Sequence, residues 1–105
     1  MYGTRCLMTY CKNNPAFDNI LREMGELHDR KNEDYSDKEN PLSVFEETAS
    51  IVDIPIEKVF MVLIAIKMIR LRVLLKKGKK PNFETKRDTK IDLANYSAFL
   101  ASVED

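Results

Sequence analysis

The sequence predicts an all-α protein: a small four-helix domain with a buried central helix and a short N-terminal arm. Apolar residues recur at three- and four-residue spacing in four stretches, and prolines precede three of those stretches. No stretch shows a clear strand pattern. Because 105 residues suit one hydrophobic core, we predict a single domain with an arm over residues 1–14 and a helical core over residues 15–103.

The first helix is predicted from about Pro15 to about Arg30. Asn14 precedes it and can cap its first turn, where backbone N–H groups lack partners. The next stretch, Lys31–Asn40, is polar and is predicted to be a loop. Its one aromatic residue, Tyr35, would either stack on the base of a ligand or anchor the loop on the core. The apolar stripe of this helix comprises Phe17, Ile20, Leu21, Met24 and Leu27.

The second and third helices are predicted over about Pro41–Val52 and about Pro55–Lys77. The third contains the most apolar stretch of the chain, with no polar residue in Val59–Ile66. It is too short and too charged to cross a bilayer, which needs roughly 20 largely apolar residues. A helix that is apolar on nearly every side is typical of the centre of a core, so we expect the other three helices to cover it.

Lys67 and Arg70 interrupt this apolar helix on one of its faces. If buried, they must be paired or must serve a ligand. The fourth helix is predicted over about 84–103, and antiparallel counting around the intervening turn places Arg70 near Asp88 to Asp92 and Lys67 near Asp92 to Asn95. One face of this helix carries Glu84, Asp88, Asp92 and Asn95.

These carboxylates have two interpretations. In the structural one, ion pairs with Lys67 and Arg70 hold the third and fourth helices together. In the functional one, the carboxylates hold Mg²⁺, which prefers oxygen ligands, while the two cations bind phosphate. Glu23 and Glu26, at i and i+3 on the first helix, are either a second metal-binding pair or part of a solvated face. The one histidine, His28, is predicted to be a surface residue.

The composition excludes several classes of function. With 17 acidic and 17 basic residues, gross charge selects neither nucleic acid nor a membrane as a partner. The first residues lack the pattern of a signal peptide, so we expect a cytoplasmic protein in which Cys6 and Cys11 are reduced thiols. No glycine-rich phosphate loop, nucleophile elbow or zinc pattern occurs.

Four segments of the chain together resemble a known family. They are KNEDY at 31–35, NPLSVFEETA at 40–49, IPIEKVFMVLIAIKMIRL at 54–71 and ETKRDTKIDLANY at 84–96. This succession resembles small phage and prophage proteins of the nucleotide modification associated domain family, over roughly residues 17–100. The last segment is its most specific part. The family also looks distantly similar to the all-helical MazG-like nucleotide pyrophosphatases.

The resemblance implies a nucleotide-binding protein in the cytoplasm of a phage-infected or lysogenic bacterium. One implied activity is Mg²⁺-dependent nucleotide phosphohydrolysis, with Glu23, Glu26, Glu84, Asp88 and Asp92 as metal ligands. The alternative is a non-catalytic, homo-oligomeric sponge that sequesters a cyclic nucleotide or another nucleotide messenger of anti-phage immunity. A purely structural helical protein is the third interpretation that the sequence leaves open. Two departures are Ser36, where the family commonly has glycine, and the spacing from Glu84 to Asp88, one residue longer than a MazG-like site. The implied ligand-binding residues are Lys31, Asp34, Tyr35, Lys67, Arg70, Asn95 and Tyr96.

Overall fold

The computed structural model describes residues 9–35, 42–76 and 85–103, and for residues 32–35 it describes the backbone only. These residues form four α-helices: α1 (Pro15–Tyr35), α2 (Ser43–Val52), α3 (Ile56–Leu74) and α4 (Lys86–Ser102). No strand occurs among them, so the predicted all-α class is confirmed. Within the described ranges, no helix has the length and apolar character needed to cross a membrane.

The start of α1 follows the prediction, but its end does not. The side-chain oxygen of Asn14 accepts a hydrogen bond from the backbone N–H of Phe17 at 3.0 Å, which confirms the predicted cap. The helix then continues to Tyr35, so the prediction of a loop from residue 31 was wrong for 31–35. This segment contains no proline or glycine to end a helix. The predicted helix start at Asn40 and Pro41 lies outside the described residues, and α2 begins at Ser43.

A short turn separates α2 from α3. Asp53 ends α2 in the left-handed conformation, with φ of 57°, which aspartate tolerates better than most residues. The next backbone N–H, that of Ile54, donates to the Ala49 carbonyl at 3.0 Å and so satisfies the end of α2. Pro55 follows with φ of −61° and leads into α3. The turn allows α2 to pack against α3.

The core is built around aromatic rings. Phe60 of α3 is fully buried, and its ring centre lies 4.9 Å from that of Phe45 on α2 and 5.9 Å from that of Phe99 on α4. Tyr96 lies 6.2 Å from Phe99 by the same measure, and His28 of α1 lies 5.1 Å from it. Rings from all four helices therefore meet in one cluster, and the predicted surface residue His28 is half-buried against it.

The structure buries only one side of α3. Val59, Phe60 and Leu74 are buried, whereas the opposite side of the helix is exposed. Within the described part of the chain, α3 packs mainly against α4 and α2, while α1 packs against α4. The expectation that three helices cover α3 on nearly every side is therefore not met. The large exposed apolar residues of α3 are Met61, Val62, Ile66, Met68 and Ile69.

A buried carboxylate holds the segment before α1. Asp18 is only 5% exposed, and it accepts hydrogen bonds from the backbone N–H groups of Cys11 and Tyr10. It also forms an ion pair with Arg22 at 2.6 Å. The Cys11 N–H is the largest cause that lowers the pKa of Asp18 below its ordinary value of 3.8, and the Tyr10 N–H and Arg22 act in the same direction against burial. The carboxylate thus ties residues 10 and 11 to α1.

Replacing Phe60 with alanine should test the aromatic cluster. Because Phe60 is fully buried, we expect a loss of about 3–5 kcal/mol in the free energy of unfolding, measured by urea denaturation. Phe17→Ala is the matched control, since Phe17 is 51% exposed on α1; its loss should stay within about 0.5 kcal/mol. Equal losses in the two variants would contradict the described core.

Asp18→Asn should change how stability depends on pH. Since folding lowers the pKa of Asp18 from 3.8, the charged carboxylate stabilises the protein above that pH, and its contribution is lost as pH falls through the lowered pKa. We therefore expect the variant to be less stable at neutral pH and the gap from wild type to shrink below 3.8. Denaturation at a series of pH values measures this, and a gap that stays constant down to about pH 2 would oppose it.

Candidate functional site

A groove of about 640 Å³ runs between α1 and α4. Its residues recur at three- and four-residue spacing on both helices, so each helix presents one face to it. Such a volume is within the range of small-molecule sites. The lining residues are Glu23, Glu26, Leu27, Arg30 and Lys31 of α1, and Arg87, Asp88, Ile91 and Asp92 of α4. We call this feature the α1–α4 groove.

Asp92 connects three helices at one end of the groove. Its Oδ2 lies 3.0 Å from Nζ of Lys67 on α3, and its Oδ1 lies 3.2 Å from Nζ of Lys31 on α1. The side chains of Asp92 and Lys67 are 12% and 17% exposed. The pairing of Lys67 with Asp92, predicted by antiparallel counting, is confirmed. Lys31 is half-exposed and approaches the same carboxylate from the groove side.

A second ion pair crosses the groove between α1 and α4. Nη2 of Arg87 donates to Oε2 of Glu23 at 2.7 Å. This hydrogen bond, together with the charge of Glu23, raises the pKa of the Arg87 guanidinium above its ordinary value. Because both side chains are substantially exposed, solvent screens the pair and it contributes little to stability. A ligand could therefore exchange with it at small cost.

Asp88 caps the start of α4. Its backbone N–H donates to the Thr85 hydroxyl at 3.0 Å, and its Oδ2 accepts from the Thr85 N–H at 3.3 Å. This reciprocal capping box satisfies two backbone groups at the helix start. The Thr-x-x-Asp spacing is typical of such a box. Asp88 nevertheless remains exposed and lines the α1–α4 groove.

Asn95 and Tyr96 are not among the residues that line the groove. Asn95 is buried, and its Nδ2 donates to the Met24 carbonyl at 3.4 Å, which joins α4 to α1. Tyr96 is half-buried, with its ring centre 6.3 Å from that of Phe45. Both residues therefore contribute to helix packing. Their assignment to a ligand site stays a prediction.

The other predicted site residues divide between α3 and the ends of the described ranges. Arg70 is half-buried on α3 and, like Lys67, interacts with its surroundings. Tyr35 and Asp34 lie in the last turn of α1, with side chains outside the described set. Glu84 lies outside the described residues. The α1–α4 groove thus unites five predicted residues: Glu23, Glu26, Lys31, Asp88 and Asp92.

Two arginines in the groove were not predicted as site residues. Arg30 belongs to the charged face of α1, and Arg87 lies one residue before Asp88 on α4. Helical spacing places Arg30 one turn after Glu26 and two turns after Glu23. The same count could have identified it. The partner of Arg87, by contrast, is 64 residues away, and sequence spacing contains no information on that contact.

The groove contains the oxygen ligands that a hard cation prefers, but they do not form a complete metal site by themselves. Among the described residues, no group of three or more His, Cys, Asp or Glu side chains could hold a metal ion by themselves. Mg²⁺ is commonly held by one or two carboxylates together with waters and substrate phosphates. The α1–α4 groove contains four carboxylates, which are the ligand type that such a cation uses.

Comparison with known proteins found no match. No family model matches the chain, and neither a curated protein nor a solved structure matches it.

The two ion pairs of the groove should differ in their effect on stability. Asp92→Asn removes the charge facing the partly buried Lys67, so we expect a loss of about 1–3 kcal/mol in the free energy of unfolding. Glu23→Gln removes one partner of a largely exposed pair and should cost less than about 1 kcal/mol. Urea denaturation of both variants measures the difference. A larger loss for Glu23→Gln would refute this ranking.

Proposed function

We propose that the protein binds a nucleotide, or a small molecule derived from one, in the α1–α4 groove. The observation that carries the proposal is the mixture of four carboxylates with three cationic side chains around a space of about 640 Å³. Arginine and lysine bind phosphate oxygens, while carboxylates bind the Mg²⁺ that accompanies nucleotide phosphates. The resemblance to the phage nucleotide modification associated domain family supports the same ligand class and a phage setting in the bacterial cytoplasm.

The charge balance of the groove favours a nucleotide that arrives with Mg²⁺. Four acidic side chains line the groove with three basic ones, and Lys67 balances the fourth acid by pairing with Asp92 from α3, so a bare polyphosphate would meet no net attraction there. A divalent cation bound with the phosphates would supply that attraction. Phosphate oxygens would then be bound by Arg30, Lys31 and Arg87, and the metal by carboxylates among Glu23, Glu26, Asp88 and Asp92.

This arrangement supports a Mg²⁺-dependent phosphohydrolase as the first candidate activity. Carboxylates next to a metal-bound phosphate can orient or deprotonate an attacking water. Glu26 and Asp88 stand on opposite helices of the α1–α4 groove, and Asp88 is exposed. They are the residues for which we propose this role.

Sequestration without hydrolysis is the second candidate, and the ion pairs favour it. Asp92 is bonded to Lys31 and Lys67, and Glu23 is bonded to Arg87. Carboxylates held by lysine and arginine are poor metal ligands, because the metal must displace a cation that is already bound. In this case a homo-oligomer of the chain would hold a cyclic nucleotide unchanged, without metal.

Titration calorimetry with nucleoside triphosphates and cyclic nucleotides, with and without Mg²⁺, separates the candidates. Binding that requires Mg²⁺, followed by loss of phosphate from the ligand, supports the hydrolase. Tight binding without metal, with unchanged ligand recovered after denaturation, supports sequestration. If no member of either ligand panel binds under any condition, both candidates are refuted.

Lys31→Gln and Lys90→Gln form a matched pair for locating the ligand. Lys31 lines the α1–α4 groove, whereas Lys90 is exposed on α4 and does not line it. For a nucleotide that binds wild type, we expect Lys31→Gln to raise Kd at least about tenfold, because a charged phosphate contact is lost. Lys90→Gln should stay within about twofold of wild type. Equal effects would place the nucleotide elsewhere.

A further inference from the structure

One side of α3 presents an apolar surface outside the α1–α4 groove. About two and a half turns of this helix, from Met61 to Ile69, expose large apolar side chains, each 52–58% exposed. At the end of α2, which packs against α3, Ile51 is 83% exposed and Val52 is 54% exposed. Ala65 is also exposed and lies in the middle of the stripe. We call the following set the α3 apolar face: Met61, Val62, Ala65, Ile66, Met68 and Ile69, with Ile51 and Val52.

The area of this face matches one half of a protein–protein interface. Its seven large side chains each expose on the order of 100 Å², so the face offers about 700 Å². A standard interface buries about 800 Å² on each partner, whereas the largest apolar patch of a monomeric protein is typically about 300–600 Å². The face is therefore large enough to form most of a stable dimer interface.

We infer that a second copy of this chain covers the α3 apolar face, with the two α3 helices crossing at Ala65. A two-fold axis brings the same surface of both copies together, and the small side chain of Ala65 lets the two backbones approach closely. Around this point Met61 of one copy would lie near Ile69 of the second copy. This inference does not depend on the proposed nucleotide function.

The charged ends of the face favour a crossed arrangement. Lys58 precedes Ala65 by seven residues and Arg72 follows it by seven, and both are exposed. In an aligned antiparallel pair, Lys58 of one copy would stand opposite Arg72 of the second copy, which is unfavourable. Helices that cross at about 50° separate these like charges while the central apolar residues stay in contact.

A lipid surface is the main alternative occupant. Interfacial helices bind anionic lipids through an excess of lysine and arginine, whereas this chain has a formal net charge of +0. The chain as a whole therefore does not attract an anionic membrane, and the vesicle measurement below tests whether Lys58 and Arg72 alone do so. The area argument favours a second copy.

Light scattering of the full chain should give twice the monomer mass of 12.2 kDa. The double variant Ile66→Glu/Ile69→Glu should raise the dimer dissociation constant at least about 100-fold, because each change buries a charge in the interface. Phe17→Glu is the control, since Phe17 is 51% exposed on α1; this variant should remain dimeric. Circular dichroism confirms that all variants keep their helices. A monomeric wild type, or a double variant that stays dimeric, would overturn the inference.

Cysteine cross-linking tests the crossing point. In a Cys6→Ser/Cys11→Ser background, Ala65→Cys should form a disulfide between copies, because residues on the two-fold axis lie close together. Ala98→Cys, exposed on α4, is the control and should cross-link far less. Equal cross-linking of the two variants would overturn the crossing at Ala65.

Two further measurements complete the test. Mixing Met61→Cys with Ile69→Cys protein should give more cross-linked dimer than either variant alone. The reverse result would oppose the crossed antiparallel arrangement.

Anionic phosphatidylserine vesicles should not sediment the wild-type protein. If the wild type is monomeric in solution and binds these vesicles, and Ile66→Glu/Ile69→Glu abolishes that binding, the face would be assigned to lipid instead.

Discussion

A single carboxylate, that of Asp92, resolves the main electrostatic problem of this fold. The apolar helix α3 carries Lys67 on its inner side, where an unpaired ammonium would cost several kcal/mol. Asp92 of α4 meets it at 3.0 Å and receives Lys31 of α1 on its other oxygen at 3.2 Å. The position of α4 between α1 and α3 therefore satisfies a charge from each neighbour, in addition to the ring contacts of Phe99 and Tyr96.

The same pairing defines the chemistry of the α1–α4 groove. With Lys67 directed at Asp92 from α3, the groove itself retains Arg30, Lys31 and Arg87 as its cations. The exposed pair of Arg87 and Glu23 is the one that a phosphate can enter most easily, since solvent already weakens it. The structure thus combines a firmly held end of the groove, near Asp92, with an exchangeable end near Glu23.

The two sides of α3 serve different purposes. Its inner side packs Phe60 into the aromatic cluster and directs Lys67 to α4. Its outer side is equally apolar yet exposed. The inferred second copy of the chain would cover this side without a change in the fold. The groove and the α3 apolar face contain no residue in common, so binding and assembly can be studied by separate variants.

Local features of the sequence determined much of the fold. Three- and four-residue spacing predicted the four helices, and Asn14 predicted the start of α1 that the Phe17 hydrogen bond confirms. Antiparallel counting also identified the pair of Lys67 and Asp92, because two antiparallel helices that lie close together in the sequence have few possible registers. The helical segment 31–35 was missed because its polar composition is equally typical of a loop.

The tertiary structure determined the contacts and the exposure that residue spacing in the sequence cannot predict. Whether an apolar helix is covered on all sides depends on how many elements pack against it, and α3 is covered on one side only within the described chain. The contact of Arg87 with Glu23 joins residues 64 positions apart, and Asn95 proved to join α4 to α1 through the Met24 carbonyl. Such contacts follow from the packing of whole helices, whereas the periodicity of a sequence records only which residues share a face.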